Sequence, residues 1–102
     1  MIYENGKVKD IHIAYVGGGS RGWAWGLMSD LVSAGEISGT VYLYDIDIEA
    51  AKNNAVIGEK FNGAEGAVSH WEYRVCETLE EALADADFVA QRRLFIRNHH
   101  AD

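Results

Sequence analysis

The chain has 102 residues, 48% of them hydrophobic and 25% charged, which is the composition of a soluble globular protein with room for one small domain. Its net charge of −7 argues against a nucleic-acid or acidic-membrane partner, and no apolar run approaches the ~20 residues that a membrane span needs. A single cysteine excludes an internal disulfide and the N-terminus lacks the apolar core of a secretory signal, so we expect a cytoplasmic protein.

The first half of the chain predicts one strand, one turn and one helix. Residues 1–10 are polar, and we expect a flexible lead-in. Residues 11–16 form a nearly continuous apolar run, which predicts a strand covered on both faces, as in a parallel sheet. After a glycine-rich turn at 17–22, apolar residues recur with helical spacing over 23–32, which predicts an amphipathic helix.

The second half continues the alternation of strands and helices. Residues 40–44, "TVYLY", are rich in β-branched and aromatic side chains and predict a second strand. Asp47 is suited to cap a helix that runs from residue 48 to about 61. Residues 71–75 predict a third strand.

A short helix and the opening of a fourth strand follow. "TLEE" at 78–81 has the pattern of a capping box, which predicts a helix to about residue 84. Residues 88–89 begin the fourth strand. Because strands and helices alternate, we predict an α/β fold over residues 11–89, a Rossmann-like parallel sheet with flanking helices that stops after about the fourth strand.

The composition changes abruptly at residue 90. Residues 1–89 carry six Lys or Arg against fifteen Asp or Glu, whereas residues 90–102 carry three Arg and one Asp. A buried strand is not expected to continue from Val89 into Gln91 and two arginines. We therefore expect 90–102 to be an atypical tail, the product of a truncation or frameshift close to Val89.

Three spaced glycines follow the first strand. Gly17-x-Gly19-x-x-Gly22 is the dinucleotide-binding fingerprint. Gly17 permits the sharp turn, Gly19 leaves the backbone open to a pyrophosphate, and Gly22 lets the helix pack closely on the sheet. The start of that helix presents free amides and the positive end of its dipole to the phosphates.

Polar residues complete the predicted cofactor site. Ser20 is a hydroxyl donor and Arg21 a charged donor for the phosphates. Asp45 follows Gly22 by 23 positions and closes the second strand, where a carboxylate accepts the ribose hydroxyls of NAD and repels the extra phosphate of NADP. The pattern therefore predicts NAD as cofactor.

Longer stretches carry a more specific resemblance. "IAYVGGGSRGWAWGLMSDL", "SGTVYLYDIDIEAAKNNAVIG" and "TLEEALADADFV" together resemble the N-terminus of glycoside hydrolase family 4, over roughly residues 11–89. These are NAD- and manganese-dependent glycosidases, among them 6-phospho-glucosidases, α-glucosidases and α-galacturonidases. The resemblance is nearest to the α-galacturonidase and α-glucosidase branch.

The resemblance assigns cofactor residues by position. It implies a ribose-binding acid at Asp45, with Asp47 as a second candidate, and an intact protein that is a homo-oligomer acting on a glycoside. The phosphate loop that it implies consists of Gly17, Gly18, Gly19, Ser20 and Gly22.

The resemblance also implies an unusual cleavage that does not use the two-carboxylate scheme. In that family, NAD oxidises the 3-hydroxyl of the sugar, a base removes the acidified neighbouring proton, and the glycosidic bond leaves by elimination. Water then adds and the hydride returns, while a divalent metal acts as Lewis acid. The family's metal ligands and base fall beyond residue 102, so we assign no catalytic or metal residue here and expect this chain alone to be inactive.

Several side chains that could bind ligands are expected to be structural. Cys76 has no histidine at ligand spacing and is expected to be a small buried hydrophobe. His99 and His100 are adjacent and do not share a helix face, so no metal site is predicted there. For Trp23 and Trp25 we favour packing over ligand stacking.

Two other functions remain open from the residues alone. One is a fragment of an NAD-dependent lactate- or malate-type dehydrogenase, because those enzymes share the opening fold and fingerprint. The other is a non-catalytic nucleotide-sensing module, which predicts cofactor binding and a well-folded isolated chain.

Overall fold

The structure is a computed structural model that describes residues 1–17, 21–91 and 94–97, of which 21–23, 91 and 94–97 are described by their backbone alone. The elements, in chain order, are β1 (Ile2–Glu4), β2 (Lys7–Val16), α1 (Arg21–Ser33), β3 (Ile37–Tyr44), α2 (Ile48–Phe61), β4 (Trp71–Val75), α3 (Leu79–Leu83), β5 (Phe88–Gln91) and β6 (Leu94–Arg97).

One mixed sheet forms the centre of the molecule. Its strand order over the described residues is β4-β3-β2-β5-β6, and β1 pairs with β2 off this path. The pairs β2–β3, β3–β4 and β2–β5 are parallel, whereas β1–β2 and β5–β6 are antiparallel. The four predicted strands are therefore the parallel ones, and the predicted α/β, Rossmann-like fold is confirmed.

The N-terminal ten residues form a hairpin and not the loose lead-in that their polarity suggested. β1 pairs with the start of β2, which begins at Lys7. Asn5 and Gly6 connect the two strands with φ of 52° and 76°. Positive φ at both positions of a two-residue turn is typical of tight hairpins, and Asn-Gly adopts it with little strain.

The strand pattern also continues past Val89. β5 extends to Gln91, and β6 pairs with it antiparallel from Phe88↔Arg97 to Gln91↔Leu94. A parallel sheet can accept a short antiparallel strand at its edge, where one side of each strand need not be buried. The expectation that the strand pattern is lost after Val89 is therefore wrong.

A bulge near the start of β2 sets its register with β3. The pairing shifts between Val8 and Ile11, and Asp10 in between has φ of 53°. Beyond the bulge, Ile11 pairs with Gly39 so closely that a Cβ on Gly39 would collide with the carbonyl oxygen of Ile11. The backbone contact therefore requires glycine at position 39.

β5 is fixed against β2 by a reciprocal pair of hydrogen bonds. The main-chain amide of Asp87 donates to the carbonyl oxygen of His12 at 2.7 Å. The amide of His12 donates in turn to Oδ2 of Asp87 at 2.9 Å. The second bond uses a side chain where a ladder would use a carbonyl, so Asp87 aligns the strand that follows it.

Helices cover both faces of the sheet. One face packs on α1 and α2 in a cluster that includes Ile13, Tyr15, Met28, Leu43, Ala51 and Trp71. The other face packs on α3 in a smaller cluster of Ala14, Cys76, Ala82 and Ala86. Within the described part of the chain, no helix is both long enough and apolar enough to cross a bilayer.

Candidate functional site

Gly17 and Asp45 are neighbours at the carboxyl edge of the sheet. β2 and β3 end side by side, with Val16 paired to Tyr44. The amide of Gly17 donates to the carbonyl oxygen of Tyr44 at 2.8 Å, one bond beyond that pair. The two residues that directly follow these strands are thus held together, as the spacing of the motif predicted.

The backbone at Gly17 needs glycine for its conformation. Its φ is +87°, a region that side-chain-bearing residues rarely adopt. Among the described residues, no atom other than those of its chain neighbours lies within 4 Å of the position where a Cβ would stand. The turn out of β2 is therefore strained for residues other than glycine, and the described residues leave its outer side uncovered.

The carboxylate of Asp45 is oriented by the turn that follows it. Asp45 is half-buried, and its Oδ1 accepts a hydrogen bond from the amide of Asp47 at 2.9 Å. This is a local side-chain turn of the kind that aspartate favours. It holds the carboxylate at the edge of the sheet beside Gly17.

Asp47 begins α2, as predicted. It is the N-cap, with extended φ and ψ of −86° and 91°, and its Oδ1 accepts from the amide of Ala50 at 3.2 Å. The side chain is exposed. Its observed contact is therefore a capping bond, and its role toward a cofactor stays a prediction.

The start of α1 lies directly after the glycine turn. The helix begins at Arg21, so the unpaired amides of its first turn are at the carboxyl edge of the sheet. The predicted phosphate-loop residues Gly18, Gly19 and Ser20 lie outside the described residues. So do the side chain of Arg21 and the surroundings of Gly22, although both residues belong to the first turn of α1.

The strand order adds a crevice at this edge. The chain leaves β2 for β3 on one side and returns to β5 on the other. In open α/β sheets, ligands bind outside the carboxyl ends of the strands where the order reverses in this way. Gly17 directly follows β2, the strand that has β3 on one side and β5 on the other.

Ile46 is a residue that the sequence reasoning missed. It lies between Asp45 and Asp47 and is 95% exposed. Folded proteins expose single apolar residues often, but this one stands in the turn between the two predicted cofactor acids. An isoleucine flanked by two aspartates immediately after a strand was the signal that could have found it.

The other candidate residues have structural roles. Cys76 is buried in the α3 cluster, as predicted, and burial raises the pKa of its thiol, an effect to which the nearby Glu81 carboxylate adds. The described residues contain no group of three or more His, Cys, Asp or Glu placed to hold a metal. His99 and His100 lie outside the described residues.

The two tryptophans whose side chains are described also have structural roles. The indole nitrogen of Trp25 donates to Oδ1 of Asn54 at 2.9 Å, which links α1 to α2. Trp71 is fully buried in the core. The side chain of Trp23 is outside the described part of the structure.

An apolar cavity elsewhere in the molecule is unrelated to this edge. It has a volume of about 240 Å³, and Met1, Ile11, Leu31 and Phe88 are among its lining residues. Three of its lining residues, Ile37, Trp71 and Phe88, are the first residues of the parallel strands β3, β4 and β5. It therefore lies away from Gly17 and Asp45.

The fold and this edge define a Rossmann-type α/β unit. A glycine turn, a helix start and a strand-end carboxylate meet at the carboxyl edge of a parallel sheet. Residues 12–95 match the model of family 4 glycosyl hydrolases. The chain belongs to this family, and the match extends beyond Val89 into the segment whose composition predicted a break.

Curated relatives carry the same assignment. The chain is 57% identical over 89 residues to an alpha-galacturonidase of Thermoanaerobacterium saccharolyticum, covering 87% of this chain and 19% of that protein. It is 51% identical over 79 residues to an alpha-galacturonidase of Bacillus subtilis, covering 78% and 17%. The chain thus spans less than a fifth of the length of these relatives.

Solved structures agree with the fold. The crystal structure of the Bacillus subtilis protein lplD superposes with a TM-score of 0.70 at 50% identity, over 81% of this chain and 18% of that one. The 6-phospho-beta glucosidase of Thermotoga maritima, determined with NAD and glucose-6-phosphate, superposes with a TM-score of 0.60 at 25% identity, over 80% and 19%. The family match favours the glycosidase over the dehydrogenase alternative.

Proposed function

We propose that this chain is the NAD-binding part of a family 4 glycosidase whose intact form cleaves α-galacturonides. The observation that carries the proposal is the hydrogen bond between Gly17 and Tyr44, which holds Gly17 beside the end of β3, directly before Asp45. The curated relatives support the substrate class, since they are alpha-galacturonidases. The Thermotoga maritima enzyme supports the cofactor, since its structure was determined with NAD.

The phosphates belong at the turn between β2 and α1. The positive φ and open surroundings of Gly17 leave room for a ligand against the backbone. The first-turn amides of α1 supply donors and the positive end of the helix dipole. In this proposal the cradle consists of Gly17, Gly18, Gly19, Ser20, Arg21 and Gly22.

The adenosine half of NAD belongs at the turn between β3 and α2. The Asp45 carboxylate accepts hydrogen bonds from the ribose hydroxyls and repels a 2′-phosphate, so NAD is preferred to NADP. Asp47 contributes a second, more distant negative charge. The exposed side chain of Ile46 provides apolar surface that the adenine ring covers on binding.

NAD supplies a hydride acceptor when it is bound, and the sugar chemistry takes place on parts of the fold other than the described residues. Because these residues hold no metal-binding cluster, we assign no step of the reaction to a metal on them. We propose that the chain alone is inactive. Manganese dependence and a homo-oligomeric intact enzyme, both implied by the resemblance, are part of the same proposal, as is the cytoplasmic location expected from the sequence.

Calorimetric titration of the 102-residue chain with NAD and with NADP tests the cofactor site. We expect NAD to bind more tightly than NADP. Asp45→Asn keeps the acceptor for the amide of Asp47 but removes the negative charge. It should weaken NAD binding about tenfold, which corresponds to about 1.4 kcal/mol, and reduce the preference for NAD over NADP.

Glu49→Gln is the matched control for charge. Glu49 is an exposed acid in the first turn of α2 and forms a surface ion pair with Lys52 at 3.6 Å. We expect it to leave both affinities within twofold. Equal binding of NAD and NADP by the unmodified chain, or no binding of either, would contradict the proposal.

A further inference from the structure

α1 is anchored to the rest of the molecule near both of its ends. Toward its C-terminus, the carbonyl oxygen of Leu31 accepts from Oγ of Ser69 at 2.7 Å and from the indole nitrogen of Trp71 at 3.1 Å. Near its N-terminus, the indole nitrogen of Trp25 donates to Oδ1 of Asn54 at 2.9 Å. The second anchor joins the two helices whose starts flank the candidate cofactor site.

Asn54 is an unusual residue for its place in α2. It is 2% exposed and lies on the same buried stripe as Ala51 and Gly58. An amide in such a setting is costly unless it is hydrogen-bonded, so the helix pair is most stable when the indole of Trp25 faces it. A single polar pair within an apolar seam is a known way to fix how two helices are placed against each other.

The position of this bond relates it to the site. Trp25 lies four residues after the first residue of α1, about 6 Å along the helix axis at 1.5 Å per residue. Asn54 lies six residues after the first residue of α2, about 9 Å along its axis. The bond therefore lies within about two turns of the start of each helix, close to both the first turn of α1 and the turn that carries Asp45.

We propose that Asn54 is a positioning residue for NAD, a role that rests on the proposed function. Through Trp25 it holds the amino end of α1 at the distance from Asp45 that lets one dinucleotide contact both. NAD gains affinity from a site in which its phosphate and ribose contacts are already correctly spaced, because less order is then lost on binding. A ligand that uses only one of the two subsites gains nothing from this spacing.

The test measures NAD and adenosine binding to the 102-residue chain and its variants by NMR titration. We expect Asn54→Leu to weaken NAD about tenfold and to leave adenosine within twofold. Trp25→Phe removes the donor from a partly exposed position, keeps Asn54, and should weaken NAD to a similar extent. The double variant should bind NAD no more weakly than Asn54→Leu alone, because the bond between Trp25 and Asn54 is already lost in that variant.

Ser69→Ala is the matched control. It removes a hydrogen bond from the other end of α1 and is expected to lower stability while leaving the affinity for NAD within twofold. All affinities are measured under conditions where urea titration shows each variant to be fully folded. If Asn54→Leu does not fold, the comparison is made with Trp25→Phe. The indole N–H signal that disappears from the spectrum of Trp25→Phe is assigned to Trp25.

Four outcomes would overturn the inference. NAD affinity unchanged in Trp25→Phe would remove the positioning role and leave the proposed function intact. Equal weakening of NAD and adenosine binding would show that the bond between Trp25 and Asn54 only stabilises the fold. A loss of NAD affinity in Ser69→Ala equal to that in Trp25→Phe would show the same. An unmodified chain that does not bind NAD would refute both the proposed function and the positioning role. This failure is seen in the unmodified chain alone, whereas failure of the positioning role is seen only when variants are compared.

Discussion

Gly58 lies directly against the aromatic ring of Tyr73. A Cβ at position 58 would stand 2.7 Å from two ring carbons of Tyr73, closer than such atoms approach in folded proteins. The contact joins the buried face of α2 to β4. A helical glycine with no special φ is therefore required here by packing.

Gly58→Ala should destabilise the protein. Alanine gains about 1 kcal/mol in helix propensity, but forcing a methyl group into a packed core typically costs about 1–3 kcal/mol. We expect a net loss of up to about 2 kcal/mol in the free energy of unfolding, measured by urea titration. Gly26→Ala, in α1, should instead gain up to about 1 kcal/mol, because no described atom outside the neighbouring backbone lies within 4 Å of the added Cβ. Equal effects of the two substitutions would contradict the packing argument.

Tyr73→Phe should remove part of the alkaline instability of the fold. The hydroxyl of Tyr73 is buried and has no hydrogen-bond partner among the described residues. Burial, assisted by the Glu59 carboxylate, raises its pKa well above the ordinary value of 10.0. The folded state thus keeps a proton that the unfolded chain loses above that value, and stability falls as the pH rises beyond 10.

The pH dependence of urea unfolding checks this expectation. The unmodified chain should lose more stability between pH 9 and pH 11 than Tyr73→Phe does. At neutral pH the variant should be as stable or slightly more stable, because it no longer buries an unpaired hydroxyl. Parallel curves for the two proteins would show that Tyr73 does not govern the alkaline transition.

Ile46→Ser should weaken NAD without affecting the fold. The side chain is 95% exposed, so its replacement changes little buried area and stability should stay within about 0.5 kcal/mol. If adenine covers it, the loss of apolar contact should weaken NAD about three- to tenfold in calorimetry. Val56→Ser, at a 56% exposed apolar position on α2, should leave NAD affinity unchanged. If Ile46→Ser and Val56→Ser bind NAD with similar affinity, the adenine does not cover Ile46.

Asp47 can be tested separately as a cap and as a cofactor residue. Asp47→Ala removes the acceptor for the amide of Ala50 and should cost about 1 kcal/mol in unfolding free energy. Asp47→Ser keeps a capping oxygen and should retain most of that stability. We expect the serine variant to weaken NAD less than Asp45→Asn does. A larger effect on NAD than that of Asp45→Asn would make Asp47 the principal ribose acid.

Local signals predicted the elements that carry strong periodicity and caps. α2 spans residues 48–61 as expected, because Asp47 is a good N-cap and the apolar stripe has helical spacing. β1 was missed because its three residues are all exposed and too few to show a period. The Asn5-Gly6 pair was the available signal for that hairpin. β6 was missed because its apolar residues follow two arginines, which were interpreted as the start of an atypical tail.

The parts of the candidate site that a sequence motif spaces along the chain were predictable. The parts that depend on how helices pack against each other were not. Gly17 and Asp45 follow from strand ends that a parallel sheet brings to one edge. Asn54 reads as an ordinary polar helix residue, since nothing in the sequence shows that the indole of Trp25 faces it. The side chains of Ile46 and Asn54 acquire their roles only from the relative placement of β3, α1 and α2.

The reciprocal bonds between His12 and Asp87 join residues that are 75 positions apart. β5 can therefore dock on the central strand only after most of the chain has been synthesised, and until then one side of β2 offers unsatisfied amides and carbonyls to other molecules. Contacts of such long sequence separation form late and slow the folding reaction. Refolding should accordingly end in a slow phase that reports closure of the β2–β5 junction, and nascent chains should be most prone to misassociation just before that step.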